Sequence, residues 1–315
     1  MENETKEIVE KKEEVKIIES KGNGNFLPIA ILVAGVMISG SFIYSAQLRE
    51  NSSTQGGASQ EEFTSLEKEV LPKSVTIPVA WGDLGAKLVK NGVIDEKKME
   101  ALYEGRGGFS DEYQKLLLGD KNGNMVITRE NAGYWLNLLW AFGLANKNDI
   151  LENGEMSDPK NGGAGNFAST GGWNMAKDGP MEHYSKYAFV VLTKEQQELV
   201  DNISRNIYRP CCGNSVHFPD CNHGMAMLGL LELMAESGMN EADMYKIALT
   251  VNSYWFPDTY ITIAKYMKDN GTKWKNVSPK EMLGAEYSSA TGFRQISAKV
   301  TKPTGQVAGG PGCGV

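Results

Sequence analysis

Two short stretches carry most of the soft-ligand chemistry of this chain. The first reads Tyr208-Arg209-Pro210-Cys211-Cys212-Gly213. The second reads Phe218-Pro219-Asp220-Cys221-Asn222-His223-Gly224-Met225-Ala226-Met227. Together they hold three of the four cysteines and one of the three histidines. Thiolate, imidazole and thioether are the groups that select copper, zinc and iron–sulfur centres. The candidate metal ligands are Cys211, Cys212, Cys221, His223 and Met227. Copper(I) or zinc is the expected ion, with an iron–sulfur centre behind them. The spacing Cys-Cys-x8-Cys-x-His lies outside the usual zinc-ligand patterns.

Two other chemistries compete for the same sulfurs. Outside the cytoplasm, cysteines oxidise by default, and Cys212 could then pair with Cys221 while Cys211 pins Cys313. Alternatively Cys221 could act as a nucleophile with His223 or His217 as its base, provided the pair lies within hydrogen-bond reach. Pro219 suits the first position of a helix, which would put Asp220 to His223 at a helix N-terminus. There the backbone N–H groups and the helix dipole favour a thiolate at Cys221. Cys221 and His223 can face one point only if that turn is not yet helical. Further along, His223 and Met227 share a face at i, i+4. His183 and His217 read as polar surface or loop residues.

A hard-ion loop is a separate candidate. Asp120, Asn122, Asn124, the Val126 carbonyl and Thr128 fall at the first, third, fifth, seventh and ninth positions of an EF-hand-like calcium loop. Met125 stands where the pattern has glycine. Asn131 replaces the final bidentate Glu, and Glu130 comes one place early. Weak calcium binding is the most this loop could offer, and a polar turn between helices is the plainer reading. The glycine-rich stretch 161–172 lacks the Gly-Lys-[Ser/Thr] ending of a phosphate loop. It reads as a loop that could cover a pocket, with Trp173 as the lid side chain.

The elements that must position these residues are mostly helices. Helical periodicity and caps place them at 84–90, 95–103, 111–118, 129–144, 222–236, 240–253 and 257–268. Thr193-Lys194-Glu195-Gln196 is a capping box opening another, and Ser278 caps a short one. The 222–236 segment is apolar on nearly all sides and should be a buried central helix. Strand character is confined to 188–192 and 295–300. The expected fold is therefore mainly α, a multi-helix domain over 61–300 with little β.

Ahead of that domain, the 19 residues from Phe26 to Tyr44 read FLPIAILVAGVMISGSFIY and carry no charge. At about 1.5 Å per residue they span roughly 28 Å, enough to cross a bilayer. Lys6, Lys11, Lys12, Lys16 and Lys21 precede the segment, and only Arg49 follows closely. The inside-positive rule then puts residues 1–25 in the cytoplasm and the domain outside it. Residues 45–60 read as a flexible tether, and 301–315 as a Gly/Pro-rich tail. The protein is thus expected at the cell membrane as a single-pass chain. Its net charge of −7 leaves no basic stripe for phosphate contacts, which argues against a nucleic-acid partner.

Trp81-Gly82-Asp83-Leu84-Gly85, Asn131-Ala132-Gly133-Tyr134-Trp135-Leu136-Asn137 and the YRPCCGN…FPDCNHGMAM segment together resemble a bacterial family of membrane-tethered proteins with no assigned activity. The resemblance covers 75–270. It implies an architecture and no mechanism. On the residues themselves, the expected role is soft-metal binding or thiol redox chemistry. The alternative is a disulfide-held structural or interaction domain at the cell envelope.

Overall fold

The computed structural model describes residues 60–301. The 26–44 segment, the tether, and the tail with Cys313 lie outside them. Among the described residues no helix is long and apolar enough to cross a membrane.

The protein is mainly α, as the periodicity predicts. Helical residues 60–70 (α1) lead into strand β1 (Ser74–Gly82), followed by α2 (Leu84–Lys90), α3 (Glu96–Glu104) and α4 (Asp111–Leu118). Strand β2 (Asn122–Thr128) precedes α5 (Ala132–Ala145) and α6 (Asp149–Asn153). A long irregular stretch then reaches α7 (Lys194–Ser204) and α8 (Asn222–Glu236). The chain ends with α9 (Glu241–Trp255), α10 (Pro257–Asp269), α11 (Pro279–Leu283), α12 (Ala285–Ser288) and α13 (Ala290–Ser297). Caps set the boundaries. Asp95, Ser110, Asn240 and Ser278 each accept a backbone N–H of the helix they open, and Thr193 and Gln196 form the predicted capping box.

The strands are not where the sequence suggested. Residues 188–192 form no strand, and 295–297 fall within α13. Instead β1 and β2 pair antiparallel, with a register shift between Ile77 and Ala80. Ile77, Val79 and Trp81 are buried while Pro78 and Ala80 face out, so β1 has the alternation of a half-buried strand. Pro78 lies at the irregularity, where the missing N–H costs no ladder bond.

Strand β2 also replaces the calcium loop. Such a loop must curl to gather its oxygens, whereas a strand sets alternate residues about 6.7 Å apart. Asn122 is buried, and its amide donates to the Gly82, Lys115 and Gly119 carbonyls. Val126 O already accepts from Asn131 Nδ2 and Trp135 Nε1. Thr128 Oγ1 accepts from the Asn131 N–H. Asp120, Asn124 and Glu130 are exposed around this strand. The segment read as an ion cradle is spent on its own backbone.

Helices α5 and α8 are buried along almost their whole length and pack directly together. Two glycines allow the approach. A Cβ at Gly143 would lie 2.3 Å from the Met225 carbonyl oxygen, and one at Gly229 would lie 2.8 Å from that of Leu139. Midway along α8, Glu232 is fully buried. Asn146 Nδ2 donates to its Oε2 at 2.5 Å, and the buried Asn148 side chain lies nearby. Burial raises the Glu232 pKa well above the usual carboxylate range, against the smaller opposing effect of the Asn146 and Asn148 amides. Trp173 is a core residue and not a lid. It is 1% exposed, packs edge-on against Trp140 and donates to Val93 O.

Candidate metal centre

The cysteine stretches meet at the N-terminus of α8. Tyr208 and Ser215 form an antiparallel bridge that closes a loop, and Cys212 N–H donates to Arg209 O within it. Three ties hold the loop in place: Tyr208 N–H donates to Leu283 O, Ala290 N–H donates to Cys212 O, and Asn252 Nδ2 donates to Tyr208 O. Asn252 also donates to Tyr260 Oη, which shares a hydrogen bond with Ser288 Oγ. Burial, with the Cys211 sulfur as a smaller contributor, raises the Tyr260 pKa and keeps the hydroxyl protonated.

The second stretch arrives differently from its prediction. Pro219 is not the first helical residue; Asn222 is, and Cys221 is the N-cap in extended conformation (φ −122°, ψ 164°). Cys221 Sγ accepts from Gly224 N–H at 3.4 Å. Because Cys221 stands outside the helix and His223 inside its first turn, the two side chains can turn to one point. The glycine-rich stretch backs this segment. Ser169 N–H donates to Asp220 O, and Phe167 packs edge-on against Phe218.

The structure brings Cys211, Cys221 and His223 together. Their two sulfurs and one ring nitrogen lie within 4.8 Å of one another. Cys212 belongs to a second triad, with Asp220 and Cys221, defined by the same limit. Cys211 Sγ and Cys221 Sγ are 3.5 Å apart. Two thiolates on a tetrahedral zinc with bonds of about 2.3 Å would be roughly 3.8 Å apart, so this pair is close to ligand spacing. The His223 ring packs on Phe256 and Trp255, and its Nδ1 is buried with no hydrogen-bond partner. A His223 ring nitrogen beside two sulfurs fits a bound soft ion. Met227 is buried in the hydrophobic core, which accounts for its position without a ligand role.

Arg209, assigned no role from sequence, is the electrostatic centre of the site. It is 1% exposed and uses its donors in four directions. Nε donates to Cys221 Sγ at 3.0 Å, Nη1 to Asn214 O at 3.0 Å, and Nη2 to Phe218 O at 3.1 Å and Asp220 Oδ1 at 2.5 Å. Burial opposes this charge. Cys221, Cys212 and Asp220 outweigh that penalty and raise the Arg209 pKa further, so the guanidinium stays charged. Asp220 Oδ2 accepts from Asn214 Nδ2, so both carboxylate oxygens are engaged. Gly224 makes room for the guanidinium: a Cβ there would lie 2.6 Å from Arg209 Cζ. The Cys212 thiol is pushed up to about 12. Cys211 acts to lower it, and Cys221 together with burial prevails.

The other two histidines lie in irregular segments, as expected, but are buried and not at the surface. His217 Nε2 shares a 2.7 Å hydrogen bond with Asp201, and His183 Nδ1 shares one of 3.0 Å with Tyr187 Oη. His217 is therefore engaged with Asp201 and belongs to neither triad. Chemically, the arrangement can hold a soft cation on two sulfurs and an imidazole, with a buried guanidinium offsetting thiolate charge. The chain matches no known protein family model, no curated protein and no solved structure.

Proposed function

We propose that this protein binds a soft metal ion, copper(I) or zinc, through Cys211, Cys221 and His223, on a domain tethered to the membrane by residues 26–44. One observation carries the reading: two sulfurs 3.5 Å apart and an imidazole nitrogen gathered within 4.8 Å, from two stretches of chain. Two thiolates and one imidazole make up a working zinc set when water or substrate takes the fourth position, and trigonal soft-ligand sets also suit copper(I). Arg209 and the N-terminus of α8 stabilise negative sulfur at Cys221 before any ion arrives.

The test is metal content and thiol count on the full chain, purified without oxygen and titrated with zinc(II) and copper(I). The expected result is one ion per chain, lost in Cys221→Ser and in His223→Ala. A chain that takes up neither ion while all its thiols react would overturn the reading. A non-reducing mass spectrum with Cys211 joined to Cys221 would favour the second reading, a disulfide-held structural domain; the contact between those two sulfurs is what makes that pairing the one to look for.

A further inference from the structure

The candidate ligands group in threes. They form two triads that share Cys221. One is deep: Cys221 and His223 are buried and Cys211 is half-buried. The other is shallow: Cys212 and Asp220 are both half-buried around the same Cys221. The two offer unequal coordination. The deep triad offers a His223 ring nitrogen beside its two sulfurs. In the shallow one both Asp220 oxygens are engaged, by Arg209 and by Asn214, so the sulfurs of Cys212 and Cys221 are the donors that remain to it. An ion on those two sulfurs therefore has a better-furnished position beside it, reached by keeping one bond to Cys221 and exchanging the other.

We propose that Cys212 is a transfer ligand: it receives a soft cation at the surface together with Cys221 and passes it inward to Cys211 and His223. The proposal rests on the metal reading above. The ion is cargo that enters from and leaves to a thiol-bearing carrier, and Cys221 is the pivot that stays bonded during the handover. No electron moves: the ion gains bonds to the Cys211 sulfur and the His223 nitrogen and loses the one to Cys212, and the proton displaced from the Cys211 thiol is taken up by the released Cys212 thiolate. The loop geometry serves this role. Cys212 is held through its backbone, by the Arg209 carbonyl on its N–H and the Ala290 N–H on its carbonyl, and these ties remain when its thiol, which donates at 3.9 Å to Asn214 O, is replaced.

The test compares exchange rates with binding. The full chain is charged with one equivalent of copper(I) from its glutathione complex, and the ion is then withdrawn by bathocuproine disulfonate. Cys212→Ser and Cys212→Ala should each slow uptake and withdrawal by about tenfold or more, the low end of what losing a supporting group costs a metal site. Stoichiometry should stay at one ion per chain. Cys211→Ser should instead weaken binding itself. Unchanged rates in both Cys212 variants would overturn the transfer role while leaving the metal reading intact. Loss of the ion from both would overturn it too, by making Cys212 a resident ligand. A wild-type chain that takes up no copper(I) or zinc would remove the underlying reading, and this proposal with it.

Discussion

The two buried polar clusters of α8 manage charge in opposite ways. At its N-terminus, Arg209 is a buried cation with Cys221, Asp220 and two carbonyls arrayed around it. In its middle, Glu232 is a buried acid that accepts from the neutral amide of Asn146. The first cluster holds a full charge in the interior because opposite charge and fixed acceptors replace water. The second has no cation to offset a carboxylate, so the acid keeps its proton instead. Burial alone does not mark a functional centre. What separates the two sites is whether the surrounding groups are arranged for an ionised state.

The contrast can be broken most directly at Arg209. Arg209→Met leaves Asp220 and Cys221 facing an apolar side chain, and should cost about 3–5 kcal/mol, the usual result of stripping one partner from a buried charged pair. The check is the urea midpoint at neutral pH; a loss under about 1 kcal/mol would mean the cation is not what stabilises this end of the helix. Gly224→Ala comes next. Its Cβ would lie 2.6 Å from Arg209 Cζ, and overpacking of this kind costs about 1–3 kcal/mol. Combined with Arg209→Met the penalty should shrink, because the colliding group is gone, and a double-mutant cycle reads that coupling.

The gentlest change sharpens the other side of the comparison. Glu232 holds its proton to higher pH in the folded chain than in the unfolded one. It therefore favours folding most below the ordinary carboxylate range, near 4.5, and that advantage is lost as pH rises toward its native value. Glu232→Gln should remove this slope, at most about 1.4 kcal/mol per pH unit, and be no less stable than wild type at neutral pH. Denaturant midpoints from pH 4 to 8 measure it. Equal slopes in the two proteins would show that Glu232 ionises as readily folded as unfolded.

The helices were legible because their ends are written in local chemistry. Leu84–Lys90, Asp111–Leu118 and Asn222–Glu236 follow the expected bounds, and Thr193 with Gln196 makes its capping box. The sheet was not legible, because Pro78 and the register shift interrupt the β1 pattern and Asn122-Gly123-Asn124 has the composition of a turn. The burial of Trp173, read as a lid side chain, was not legible because it depends on a partner far along the chain, the Val93 carbonyl.

At the candidate site, the soft side chains were legible in the sequence but not their grouping into two sets of three, which depends on Cys221 being an extended cap and not a helical residue. Arg209 was hidden for a similar reason. A single arginine in a loop resembles any solvated cation, and only Asp220 beside the second cysteine stretch and Gly224 on the helix hinted at a buried one.

The ties from Leu283 and Ala290 to the cysteine loop have a consequence for how the protein is made. Synthesis proceeds from the N-terminus, so the thiols emerge from the ribosome before the residues that fasten their loop. Until the chain has been extended through position 290, Cys211 and Cys212 cannot be locked beside Cys221. Fastening of the loop is thus a late event, and a chain cut short before position 290 would lack the Ala290 tie on Cys212.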